Sequence, residues 1–352
     1  MTSTRFETRS FDLITTVPTF LGGADQRAQW RTPPIKALFR SCWRIVVAPS
    51  VNWDWRKVRD RELPMFGHAS GTAGCRSRVT FSLAGWEPGD LAALPGEQNV
   101  RHPEVANPVG SALYLGYGPL IFRQGGTHLK NPPAIGPGSS AALLLRYPTP
   151  RREEIEKTLR LVHLIGALGG RSRNGWGSVS LALDGQPLPA ITQRESIEFF
   201  GSLARPLADC LREDWPHALG ADDRGLLTWK TDPCDSWNAL LQLLARIKIG
   251  LRTTNFKFQG NQGQATERHV LAYPVTHHNV TAWGNKRRLA NQLRFKVVRE
   301  NAHWRGVVVH LPTRVPGAMR DAFGPGVDRL EARVWGEVHQ FLDNWPGLNR
   351  LR

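Results

Sequence analysis

Two helix starts built the same way divide the first half of this 352-residue chain: Thr32 precedes Pro33, and Thr149 precedes Pro150. Threonine is a fair N-cap, and proline at the first helical position gives up an N–H that has no intrahelical partner anyway. Each start lies between strand-like runs, so the pair fixes where the two helices must sit. Residues 6–17, "FETRSFDLITTV", are rich in β-branched and aromatic types and predict a first strand. The first helix is followed by a predicted strand near 76–84. "GPGSSAALLLRY", residues 136–147, predicts a stronger strand preceded by a turn.

Glu153, Glu154 and Glu156 fall in the early turns of the second helix, where the helix dipole favours acids. The pair Gly169-Gly170 predicts its end, and "SVSLALD", residues 178–184, predicts a strand. A proline- and glycine-rich stretch from about 86 to 110 reads as an insertion, with "SALYLGYG", residues 111–118, counted in it as a short strand. The resulting order, strand–helix–strand–strand–helix–strand, is the ferredoxin-like βαββαβ topology shared with RRM-type RNA binders, an α+β fold. Helices cover one face of such a sheet.

After about residue 186 the pattern restarts. "RESIEFFGSLARPLADCLRE" (194–213) and "SWNALLQLLARIKIGL" (236–251) predict helices, and "QLRFKVVRE" and "WRGVVVHLP" predict strands. "VDRLEARVWGEVHQFLDN" predicts a final amphipathic helix. The expected division is a domain over 1–185 and a second, divergent α+β domain over 186–352.

Lys and Arg exceed Asp and Glu by 16 charges, which favours polyanionic partners, nucleic acid first. At 41% hydrophobic and 22% charged residues the chain is globular. It holds no apolar run near the roughly 18–20 residues that span a bilayer, and its first residues lack an apolar signal core. A cytoplasmic protein without a membrane partner or a small-molecule substrate is expected. Cys42, Cys75, Cys210 and Cys234 are scattered without C-x-x-C spacing, which argues against a zinc site or a disulfide framework. No cofactor is expected.

In the first predicted helix, Ile35, Leu38, Phe39, Cys42 and Val46 form the apolar stripe. Lys36, Arg40 and Arg44 form a second stripe with no acid among them, and like charges at i, i+4 repel; phosphate would neutralise such a face. Arg171–Gly175, "RSRNG", preceded by Gly169 and Gly170 and followed by Trp176, combines what RNA binding needs. Glycine backbone approaches an anion closely, Arg171 and Arg173 carry charge, and Trp176 offers a stacking plane. Trp176 has two readings, a base-stacking surface or a core residue. Gly22 and Gly23 read either as a second phosphate-facing loop or as an ordinary turn. Lys286, Arg287 and Arg288 lie in "GNKRRLANQLRFKVVR", which has no acid; they fit RNA or an acidic neighbouring subunit equally.

These segments carry a family resemblance. "PTFLGGAD" (18–25), "RTPPIKALFRSCWR" (31–44) and "GALGGRSRNGWGSV" (166–179) resemble, in order, the post-strand loop, the proline-led basic helix and the glycine-rich loop of RAMP proteins of CRISPR systems. "NKRRLANQLRFKV" is similar to a basic strand entry of the same proteins. The likeness is greatest to the family of first RAMP subunits of type III-B Cmr effector complexes. It departs at Ala37, where the family has glycine, and at Cys42, where it tends to an aromatic.

The resemblance implies two ferredoxin-like domains and a place in a multisubunit RNA-guided complex with other Cmr RAMP subunits. It implies contact with the 3′ part of the guide RNA and the matching end of the target RNA, by binding rather than cleavage. The residues implied in RNA binding are Gly22, Gly23, Arg31, Lys36, Arg40, Arg44, Gly169, Gly170, Arg171, Ser172, Arg173, Asn174, Gly175, Trp176, Lys286, Arg287 and Arg288.

An endoribonuclease is the alternative, since some RAMP proteins cleave RNA through a histidine or an acid after the first strand. Asp25 lies in that loop, and His68, His128 and His163 are candidates for general acid–base work. No histidine lies on the first helix, His163 falls in an apolar helix, and His277-His278 lack a partner at metal-ligand spacing. A purely structural capping subunit is the third reading, and it predicts weak, salt-insensitive RNA binding.

Overall fold

The first strand, β1 (Phe6–Thr15), buries Phe11, Leu13 and Thr15 while Thr8 and Ser10 stay exposed. That alternation sets which face of the sheet meets helices. The computed structural model describes residues 5–69, 74–191, 193–256, 263–275, 278–300 and 302–352. Part of the glycine-rich connection before residue 76, and His277, lie outside the described residues.

The first unit continues with α1 (Thr32–Val47), α2 (Trp55–Phe66), β2 (Thr80–Leu83), β3 (Ser140–Pro148), α3 (Arg152–Ile165), β4 (Val179–Leu183) and β5 (Gln186–Pro187). The sheet order is β2-β3-β1-β4-β5, antiparallel throughout. β1 pairs with β3 in the register Thr8 with Arg146 and Ser10 with Leu144. The inner face, with Leu143, Leu145 and Leu181, packs on Ile35, Phe39 and Trp43 of α1 and on Ile155, Leu159 and Val162 of α3.

A second sheet is built from β6 (Thr228–Thr231), α4 (Trp237–Thr253), β7 (Leu293–Glu300), β8 (His303–His310), α5 (Val327–Asp343) and β9 (Leu348–Arg350). Its order is β7-β8-β6-β9, again antiparallel. Chain order and sheet order therefore repeat those of β1, β2, β3 and β4. One face, with Trp229, Phe295, Val297 and Val308, packs on α4 and α5. The other presents Val307 and Val309 to the core of the first unit. The layers run sheet, helices, sheet, helices, and the first unit's helices are covered on both sides.

Local chemistry moved several predicted boundaries. Arg31, not Thr32, caps α1, and it caps with extended backbone alone. Thr149–Arg151 form a 3-10 turn before α3. The end of α3 is Ile165 with Gly166 at the cap, three residues before Gly169. Residues Ser111–Gly116 are a short helix, not a strand. The predicted helix over 194–213 stops at Ser202, because Ala204–Pro206 pairs in parallel with Leu219–Ala221; Pro206 has no N–H to continue a helix. Strands β6 and β9 and helix α2 carried too short or too polar a pattern to be predicted. No described helix is long and apolar enough to cross a membrane.

Candidate nucleic-acid interface

Three segments meet at one end of the first sheet. The loop after β1 reverses at Gly23, whose N–H donates to Arg27 O at 2.7 Å, and bridges Gly22 with Ala28. Asp25 Oδ1 accepts from Arg27 N at 3.0 Å, and Arg31 Nη1 donates to Gly22 O at 2.7 Å. Arg31 is thus spent on holding the loop shut.

The glycine-rich loop lies directly against it. Gly170 N donates to Phe20 O at 2.9 Å and Gly177 N to Pro18 O at 3.1 Å. Gly169 and Gly177 take φ of +80° and +64°; a Cβ would stand 2.4 Å from Phe20 O at the first and 1.8 Å from Leu168 O at the second. These glycines bring backbone close to backbone, which is their physical reason here. Arg171, in the left-handed region at φ 57°, is exposed, and its Nε donates to Tyr117 O at 2.5 Å.

The third segment is the insertion around the short helix Ser111–Gly116. It continues through Tyr117 into a hairpin, Leu120–Arg123 paired with Gly126–Leu129, turning at Gln124-Gly125. Tyr117 is 65% exposed and Phe122 66%. Phe20, Gly22, Gln26, Gly118, Lys130 and Gly170 line a depression of about 290 Å³ between the three segments. Lys130, glycine backbone and the Phe20 ring line this depression, and the exposed Arg171 and Tyr117 flank it through the contacts of the Arg171 guanidinium with Tyr117 O and Gly118. This is the combination that single-stranded nucleic acid requires.

The rest of the glycine-rich loop turns inward. Trp176 is fully buried, with ring centroids 5.0 Å from Phe20 and 5.4 Å from Trp237. Its two readings resolve to the core. Asn174 and Gly175 are buried too. Asn174 Nδ2 donates to Leu115 O at 2.8 Å and its Oδ1 accepts from Lys248 Nζ at 2.8 Å. Arg173 is half-buried, its Nη1 donating to Asn291 O at 2.6 Å while its own carbonyl accepts from Phe295 N at 3.0 Å. Burial pulls the Arg173 guanidinium down to about 10, still charged at neutral pH. The expectation that Arg173, Asn174, Gly175 and Trp176 face RNA is corrected: they join the two units. Ser172, between Arg171 and Arg173, is half-buried.

The basic stripe of α1 has partners within the protein. Arg40 and Arg44 both pair with the buried carboxylate of Glu62, on α2; Arg44 Nη2 lies 2.7 Å from Oε1. Lys36 Nζ donates to Phe66 O at 3.0 Å and Ser77 Oγ at 3.3 Å, and burial lowers its pKa. α2 thus supplies one acid that α1 lacks, shared by Arg40 and Arg44. Lys286, Arg287 and Arg288 are exposed in a separate turn; Arg288 folds back onto the carbonyls of Asn285 and Arg287.

Of the catalytic candidates, His163 Nδ1 accepts from Leu181 N at 3.0 Å, and burial lowers its pKa to about 3, so it stays neutral. His68 Nδ1 lies 3.1 Å from Cys75 Sγ, and Asp25 is exposed in its own turn. Among the described residues no group of three or more His, Cys, Asp or Glu side chains could hold a metal ion. Sequence reasoning missed Tyr117, Phe122 and Lys130, although the turn pair Gln124-Gly125 between "LIFR" and "GTHL" marks the hairpin.

Residues 12–180 match the family profile described as the RAMP superfamily. No curated protein sequence matches the chain. Among solved structures it is similar to Cmr1 from Pyrococcus furiosus in its apo form, at 16% identity and a TM-score of 0.44, covering 94% of this chain and 96% of that one. It is also similar to a chain of the type III-B Cmr-beta complex bound to cognate target RNA, at 9% identity and a TM-score of 0.46, covering 95% and 99%. The profile match spans the unit from β1 to β4 and the three segments that form the interface: residues 12–180 are a domain of the RAMP superfamily.

Proposed function

We propose that the chain is a non-catalytic RNA-binding subunit of a type III-B (Cmr) CRISPR complex, holding the 3′ part of the guide RNA and the matching end of the target beside other Cmr subunits. In this reading it consists of two ferredoxin-like domains, 1–185 and 186–352, the second divergent in sequence. The repeated strand order of the two sheets supports that division. The sequence resemblance supports the Cmr assignment.

The observation that carries RNA binding is the depression lined by Phe20, Gly22, Lys130 and Gly170, beside which the exposed Arg171 and Tyr117 are held together by the bond from Arg171 Nε to Tyr117 O. Guanidinium and ammonium groups would take phosphates, and the rings unstacked bases. The reading of binding rather than cleavage draws support from His163, whose Nδ1 is occupied by the N–H of Leu181.

The test is single-stranded RNA affinity against salt concentration. Replacing Arg171 and Lys130 together by alanine should weaken binding at least tenfold and flatten the slope of log K against log salt by about 1.4, near 0.7 for each phosphate no longer neutralised. Unchanged affinity and slope would remove this face from RNA binding.

A further inference from the structure

A second cleft, of about 660 Å³, lies between α2 of the first unit and two segments of the second, around residues 213–215 and residue 314. Its size is that of a small-molecule or nucleotide site. Trp55, on its rim, is 42% exposed, with the Arg56 guanidinium 4.7 Å from its ring. Most carboxylates of this protein pair with an arginine or lysine, as the excess of cations makes easy. Half-buried Glu213 and exposed Asp214 are among those that do not: among the described residues neither carboxylate has a hydrogen-bond or ion-pair partner, and neither does the exposed Arg59 guanidinium. Among the described residues Trp215 Nε1 and Arg314 Nε are buried without an acceptor, as are the indole N–H groups of Trp43, Trp53, Trp176 and Trp335 elsewhere; these two belong to residues that line the cleft. Unsatisfied acceptors, donors and an exposed indole therefore share one cleft between the two units.

Such a wall suits a ligand with an aromatic plane, an edge of adjacent N–H donors for the carboxylates and an anion for the arginines. Among the four RNA bases only guanine carries two adjacent donors, N1–H and the 2-amino group, on its Watson–Crick edge. We propose that this cleft binds a guanosine monophosphate unit, with the base stacked on Trp55, its N1–H and 2-amino group donating to Glu213 and Asp214, and its phosphate held by Arg59 and Arg314. The site shares no residue with the Arg171–Lys130 face and does not depend on that face binding RNA.

Calorimetric titration of the full chain with GMP, AMP and IMP tests it. GMP should bind at least tenfold more tightly than AMP, and IMP, which lacks the 2-amino group, should fall between them. The double substitution Glu213→Gln and Asp214→Asn should reduce GMP to the level of AMP with no loss of thermal stability, because both side chains are free. Trp55→Ala should weaken GMP and AMP alike. Equal affinity for GMP and AMP, absence of binding, or a preference that survives the double substitution would overturn the proposal.

On the chain carrying Arg171→Ala and Lys130→Ala, a short single-stranded RNA carrying one guanosine, compared with free GMP, separates the two sources of this chemistry. Tighter binding of the strand identifies a site for an unstacked base of RNA, and equal binding identifies a site for the free nucleotide. Arg171→Ala with Lys130→Ala should leave the GMP titration unchanged, so that failure of either site is read separately.

Discussion

Lys296 sits on β7 where the two units meet, with its ammonium donating to Val179 O at 2.7 Å and to the carbonyl of His163 at the end of α3. Burial pulls its pKa down to about 7. An unfolded lysine keeps its proton to about pH 10.4. Between these values the unfolded chain holds more protons than the folded one, so stability should rise with pH from about 7 towards 10. Below pH 7 both states are charged and the cost of burial is present in full. Urea unfolding at pH 7 and pH 9.5 should show the midpoint rising more for the native chain than for Lys296→Met, and equal changes would contradict this account. The residue was visible in the sequence only as one charge in a basic strand. What the sequence hides is its neighbour: the carbonyls it serves are 117 and 133 positions away.

At the scale of elements, the glycine-rich loop is an interlock. Its backbone is stitched to the loop after β1 on one side and to β7 on the other, through Asn174 and Phe295. Gly177→Ala combines a positive φ with a collision against a carbonyl oxygen. It should cost more than about 2 kcal/mol, measured as a lower urea midpoint. A substitution within about 0.5 kcal/mol of native would show that the loop yields without strain.

The order of the first unit was legible because its strands alternate and a Thr-Pro pair marks each helix, at the first residues of α1 and in the 3-10 turn that leads into α3. α2 was not, because "WRKVRDRELPMF" is polar and holds Pro64. β6 and β9 are four and three residues long, and they become strands only by pairing with each other and β8. The candidate interface was half legible. Arg171 and the glycines were marked by composition, whereas Tyr117 and Phe122 come from a hairpin inside the insertion, where tertiary placement decides exposure.

For the whole molecule, the decisive fact is that Val307 and Val309 of the second sheet share a core with Phe39, Trp43 and Leu159 of the first unit. Neither half can present a finished surface without the other. Calorimetry should therefore record one unfolding transition, with the ratio of calorimetric to van't Hoff enthalpy near one. Two resolved transitions would mean that the units are stable separately. The surplus of 16 positive charges predicted a polyanion partner without saying where. The ion pairs of Arg40 and Arg44 with Glu62 show why composition could not localise it: some of the most conspicuous cations are used internally.

The layering has a further consequence. One end of the stack is a strand surface bearing Thr8, Ser10, Leu144 and Arg146, and the opposite end is the outer side of α4 and α5. These ends are unlike, so a contact of one end with the other is heterologous and lengthens into a row, whereas a contact between like ends closes as a symmetric pair. The direction of such a row is already written into a single chain.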